Sequence, residues 1–166
     1  MILLKEFRNL SEEIFKKKNL FFFLIILTLF FLDRFSKINI LNNFSENSFF
    51  INDYLNIDLI WNTGIGFGIL STQSNFFYNL ITFLIATVLM TLFYLLIKSE
   101  NIDKIIYSII IGGAAGNFYD RLVYKAVPDF IDLHYNNFHW FTFNLADIFI
   151  SVGILIYIIR SFFIEN

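Results

Sequence analysis

FFYNLITFLIATVLMTLFYLLI, residues 76–97, runs for 22 residues without a charged side chain. As an α-helix it would extend about 33 Å, enough to cross the hydrocarbon of a bilayer. Three further apolar blocks lie around it. Leu20 to Leu32 precedes it and is interrupted by Asp33; Ile105 to Tyr119 and Phe138 to Ile159 follow, the last containing Asp147. Leu20 to Leu32 is only 13 residues, too short to cross alone. Extended through Asp33 to Leu41 it suffices, provided that Asp33 and Lys37 face protein or water. The pattern predicts helices over about 20–41, 76–97, 104–124 and 141–163. The expected fold is an all-α membrane protein: a four-transmembrane-helix bundle forming one domain over 20–163, behind a cytoplasmic N-terminal segment, 1–19.

Composition agrees with this reading. Of 166 residues 57% are hydrophobic and 16% charged, whereas a soluble domain sits nearer about a quarter charged. The net charge of −2 and the lack of a basic face give no reason to expect a nucleic-acid partner. Cysteine is absent, which excludes a thiol nucleophile, a thiolate metal site and a disulfide. The first block has the basic flank and short apolar run of a cleaved signal peptide. No small-residue cleavage site follows it, only Asp33-Arg34-Phe35-Ser36-Lys37, so it is expected to stay as a helix.

Basic residues set the expected orientation. Lys5, Arg8, Lys16, Lys17 and Lys18 precede the first helix, Lys98 and Lys104 flank the second connection, and Arg160 lies near the C-terminus. Residues 42–75 contain no Lys or Arg. Both termini should face the cytoplasm and the first and third connections the outside. Arg121 and Lys125 on the outer side depart from the rule, which suggests a specific task for at least one. The first connection is too long for a turn. Phe49 to Ile51, Leu55 to Trp61 and Ile65 to Leu70 show short alternations with aromatic or β-branched content, while Asn62-Thr63-Gly64 and Gly66 read as turn residues. A small extracytoplasmic β-sheet cradle over about 44–72 is expected.

Asp147 is costly in lipid and must face the bundle interior or a wet cleft. Asn144, Asp147 and Ser151 share one helical face. Such a polar stripe means either a substrate-lined cleft or a hydrogen-bonded helix seam. Asp129 follows Pro128, which disfavours helix at Val127, so Asp129 should sit on an extended segment or turn. Taken alone it reads as a solvated turn residue. With 17 residues between Asp129 and Asp147 in an outer hairpin, however, the two carboxylates can meet at one depth. Carboxylates about 3 Å apart share a proton. One can then take a proton from water while the other donates to a scissile carbonyl, without a metal or other cofactor.

Other groups read more plainly. Gly112 and Gly116 have the spacing of close helix packing, and Arg121 is expected to pair with Asp120 or to orient polar groups. Asp33 and Lys37, four apart, read as an interfacial salt bridge of little worth. A serine–lysine pair of Ser36 and Lys37 is disfavoured, because adjacent residues face different sides of a helix. His134 and His139, five apart and without an HExxH pattern, are not expected to hold a metal. A proton- or ion-coupled transporter relaying through Asp147 and Asp33, and a non-catalytic scaffold, are the alternatives.

Five motifs, in order, resemble the bacterial lipoprotein signal peptidases. They are Leu32-Asp33-Arg34-Phe35-Ser36-Lys37, Asn62-Thr63-Gly64-Ile65-Gly66-Phe67, the run from Gly112 to Arg121, Val127-Pro128-Asp129-Phe130 and Phe143-Asn144-Leu145-Ala146-Asp147. The resemblance covers about residues 20–160. It implies an intramembrane aspartic endopeptidase with Asp129 and Asp147 as catalytic pair. Asp33, Lys37, Asn62, Gly64, Asn117, Arg121 and Asn144 match supporting or site-lining positions. The implied substrate is a prolipoprotein whose cysteine carries diacylglycerol, cut just before that cysteine by a monomer in the bacterial cytoplasmic membrane, with lipid as its other partner. Gly66 stands where Ser or Ala is usual, and the position of Pro128 varies in the family.

Overall fold

The computed structural model describes residue 14 and residues 16–44, 48–64, 75–136 and 138–164. The expected strand over Ile65 to Leu70, Gly66 with it, and residues 1–13 lie outside these. Among the described residues four long helices occur: α1 (Lys17–Asn43), α2 (Asn75–Lys98), α3 (Asn101–Tyr124) and α4 (Leu145–Ile164). Strands β1 (Phe49–Asn52) and β2 (Leu55–Asn62) lie between α1 and α2, and β3 (Val127–Tyr135) and β4 (Phe138–Phe143) lie between α3 and α4.

Polar contacts fix the helix directions. Near their starts, Lys104 of α3 donates from Nζ to Asn19 Oδ1 of α1 at 2.7 Å. Near their ends, Lys37 of α1 donates to Asp120 of α3 at 2.8 Å. The two helices are therefore parallel. Tyr78, early in α2, donates its hydroxyl to the Arg121 carbonyl late in α3 at 2.9 Å, so α2 runs the other way. So does α4, whose Arg160 near its end donates from Nε to Asp103 in the first turn of α3 at 2.7 Å. α3 packs against the other three helices. Its glycines allow the close approach. A Cβ on Gly113 would stand 2.6 Å from the Ala146 carbonyl oxygen of α4, and one on Gly116 would collide with the Asp33 carboxylate of α1.

The four strands form one antiparallel sheet in the order β1-β2-β3-β4. It lies at the end of the bundle where α1 and α3 stop and α2 and α4 begin. β2 and β3 come from distant parts of the chain and pair from Leu55↔Leu133 to Asn62↔Val127. Half of this sheet was not expected, and the expected helix over 141–163 is corrected to a start at Leu145. Phe138 to Phe143 is rich in aromatics and has β3 beside it, so it completes backbone hydrogen bonds as a strand rather than as a first helical turn. Pro128 does not disturb β3. β4 reaches only to Ile131, so at Pro128 the strand has a neighbour on one side alone, where a missing N–H is tolerated.

Polarity is inverted relative to a soluble domain. Phe21, Phe31, Phe76, Phe83, Met90 and Phe162 are exposed, while Asp33, Lys37 and Asp120 are fully buried. Among the described residues two helices are long and apolar enough to cross a membrane, Phe76–Lys98 and Leu145–Phe163. Only 11% of each window is buried, so neither is the core helix of a soluble fold.

Candidate active site

The start of α4 organises the site. Asn144 precedes the helix and accepts from the Asp147 N–H through Oδ1 at 3.1 Å. Asp147 Oδ2 accepts in return from the Asn144 N–H at 3.1 Å. This is a reciprocal capping box, which satisfies backbone donors that a helix start otherwise leaves unpaired. Its consequence is geometric. The Asp147 carboxylate is turned back toward the sheet and held at the positive end of α4. Its other oxygen, Oδ1, accepts from Asn117 Nδ2 of α3 at 2.8 Å.

The remaining donor of Asn144 reaches the second carboxylate. Nδ2 donates to Asp129 Oδ1 at 2.6 Å. Asp129 Oδ2 accepts from Asn62 Nδ2, at the end of β2, at 2.9 Å. Asn62 Oδ1 in turn accepts from the Gly64 N–H at 2.8 Å, closing a turn. Asn144 thus binds both aspartates, one through its cap and one through its amide. Asp129 is 3% exposed and Asp147 9%. Burial, and then the charge of Asp147, push the Asp129 carboxyl up to about 7.

Lys37 lies one step behind. Its ammonium donates to Asp33 Oδ2 at 2.9 Å, Asp120 Oδ2 at 2.8 Å and Asn117 Oδ1 at 2.7 Å. Asp33 Oδ1 accepts from the Ala146 N–H of α4 at 3.1 Å, and Arg34 donates to Asp120 Oδ1. The expected weak interfacial Asp33–Lys37 pair is therefore corrected. Both side chains are fully enclosed, because the small surface of α3 brings Asp120 and Asn117 onto them. Arg121 does not pair with Asp120. It donates to the Gly64 carbonyl, tying the end of α3 to the turn after β2.

All nine site residues named from the sequence lie in this connected region. Arg34 and Asp120 belong to it as well. Their signal, a surplus of buried charge around Lys37, could be read only once α1 and α3 were known to be parallel neighbours. His134 and His139 converge with Asp132 at the other end of β3, which their spacing did not suggest. A groove of about 650 Å³ opens between α2, α3 and α4. Its walls are apolar, with Leu84, Val88 and Ile154 among them, and Asn117, Arg121, Asp147 and Ser151 are in its polar part.

A family profile described as "Signal peptidase (SPase) II" matches residues 25–163. A protein of Pelagibacter ubique (strain HTCC1062) named "Lipoprotein signal peptidase" is 46% identical over 145 residues, covering 86% of this chain and 87% of that one. One of the same name from Wigglesworthia glossinidia brevipalpis is 39% identical over 146 residues, covering 86% and 95%. A solved structure described as a bacterial membrane enzyme obtained by the in meso method superposes with a TM-score of 0.69 at 34% identity, covering 85% of this chain and 87% of that one.

Proposed function

The chain belongs to the signal peptidase II family, and on that premise we propose that it is an aspartic endopeptidase working at the outer face of the bacterial cytoplasmic membrane. Its substrate is a prolipoprotein whose cysteine carries diacylglycerol, and it cuts the peptide bond before that cysteine. All four helices of the 20–163 domain cross the bilayer, with both termini cytoplasmic and the sheet resting outside. The protein works as a monomer.

The observation that carries the mechanism is the double engagement of Asn144, which holds two buried carboxylates of different chain segments, Asp147 through its backbone N–H and Asp129 through its side-chain amide. Asp129 carries the shared proton, its carboxyl pushed up to about 7 by burial and then by the charge of Asp147. Asp147 takes a proton from a water molecule as the water oxygen attacks the scissile carbonyl. Asp129 donates its proton to the carbonyl oxygen. The tetrahedral diol then collapses: one hydroxyl returns its proton to Asp129, the C–N bond breaks, and the proton on Asp147 passes to the leaving cysteine nitrogen, which restores the starting protonation of the pair. Lys37 acts through Asn117, whose amide it orients toward Asp147. The groove suits an apolar signal-peptide segment arriving through lipid, and its polar part meets the scissile bond near the surface.

Asp129→Asn and Asp147→Asn should each lower cleavage of a diacylglyceryl prolipoprotein by about 10²–10⁴-fold, the range that general acid–base groups contribute. The measurement uses purified full-length protein in detergent, with unaltered membrane accumulation as control. Near-normal turnover by either variant refutes the pair. Turnover in detergent, without a membrane potential, also separates a peptidase from an ion-coupled transporter. An unlipidated precursor should be cut poorly; equal processing removes the lipid specificity.

A further inference from the structure

The far end of the β3–β4 hairpin holds a second group of polar side chains, separate from the carboxylate pair. Side chains alternate along a strand, so Asp132 and His134 share a face of β3 and Asp129 takes the other. His139 stands directly across from His134 in β4, where a bulge shifts the register. The two imidazoles stack with centroids 5.4 Å apart, and Asp132 Oδ2 lies 2.7 Å from His139 Nδ1 and 3.8 Å from His134 Nδ1. One ligand atom from each of the three residues falls within 4.8 Å of the others.

Hydrogen bonding does not complete this group. His134 is only 6% exposed, yet its Nδ1 has no hydrogen-bond partner among the described residues, and 3.8 Å to Asp132 is too long for one. A buried ring nitrogen left this way is unfavourable. The Asp132 carboxylate beside it, only 2% exposed, has the His139 ring as its neighbour at hydrogen-bond distance and offers a buried negative charge to a cation. A tetrahedral ion with bonds near 2.0–2.1 Å keeps its ligand atoms about 3.3 Å apart, within the range seen here. Two neutral imidazoles and one carboxylate form a ligand set typical of zinc-class ions. The His139 side chain is 57% exposed, so an ion has a path in and a water can fill the fourth position.

We propose that Asp132, His134 and His139 form a site for a divalent transition-metal ion of the zinc class, which staples β3 to β4 beyond the carboxylate pair. The ion takes no part in peptide cleavage. It joins the outer end of the strand that carries Asp129 to the strand that leads into Asn144.

The test uses the full-length, untagged protein in detergent, stripped with a chelator and then titrated with Zn²⁺ by calorimetry. One ion per chain should bind, and Co²⁺ in its place should give the intense visible absorption of four-coordinate cobalt. His139→Ala, at an exposed position where folding is not at risk, should weaken binding at least ten-fold, and Asp132→Asn should do the same. Zn²⁺ should raise the thermal midpoint of the wild type and leave that of His139→Ala unmoved. Stripped enzyme and His139→Ala should both still cleave. Absence of stoichiometric binding overturns the site, as does binding unchanged in His139→Ala. Binding lost in Asp129→Asn but kept in His139→Ala would place the ion at the carboxylate pair and overturn it too.

Discussion

Asp129 shows what enclosure does to one acidic side chain. Its carboxyl is pushed from an ordinary value near 3.8 up to about 7, so between those values the folded protein holds a proton that the unfolded chain has released. The stabilisation is complete below about pH 4 and declines as pH rises toward 7, at up to about 1.4 kcal/mol per pH unit. Thermal midpoints measured from pH 4 to 8 should therefore fall more steeply for the wild type than for Asp129→Asn, and parallel curves would contradict this. If Asp129 is the acid, the cleavage rate should fall along an alkaline limb near pH 7 that tracks the same ionisation. The Asn144–Asp147 relation was legible in the sequence, because three residues is a fixed distance at a helix start. The meeting of His134 with His139 was not. It depends on a hairpin turn, eased by Asn136 at φ 52°, and on a bulge in β4 that no spacing rule specifies.

At the level of elements, the long apolar runs gave the helices nearly to their ends, since little else can be made of such stretches in lipid. The exception is Phe138 to Phe143. Its aromatic content suits a helix in lipid and a strand beside β3 equally well, and only the presence of β3 decides. Half the sheet was hidden for that reason. Gly112 and Gly116 were read as packing residues, and they face α1, while Gly113 faces α4. Gly116→Ala should cost about 1–3 kcal/mol, as overpacking does. The added methyl meets the enclosed Asp33 carboxylate, which cannot swing aside without leaving Lys37. Resistance to thermal unfolding in detergent is the measurement; an unchanged midpoint would mean that α1 and α3 can separate freely.

For the whole molecule, the main organising fact is that charge is gathered inside and apolar surface faces out. Asp33, Arg34, Lys37 and Asp120 carry two negative and two positive charges that cancel within the bundle. Removing one member leaves the others enclosed without balance, and a broken buried pair typically costs about 3–5 kcal/mol. Lys37→Met should accordingly destabilise the protein far more than an exposed substitution would. Adding Asp120→Asn should recover part of the loss, and a double-mutant cycle on unfolding free energies measures how much. Additive effects would mean that the two groups do not interact. Moderate salt should change little, because ions do not screen a network that water does not reach.

The pairing of β2 with β3 has a consequence for the newly made protein. The strands are joined through the whole of α2 and α3, and Asn144 is made later still. A ribosome that has finished the first three helices has produced Lys37 with Asp33 and Asp120, but neither Asp129 nor Asp147. On the proposed mechanism the nascent chain is therefore proteolytically silent until its last helix begins, and cannot cut the membrane proteins that are being inserted alongside it.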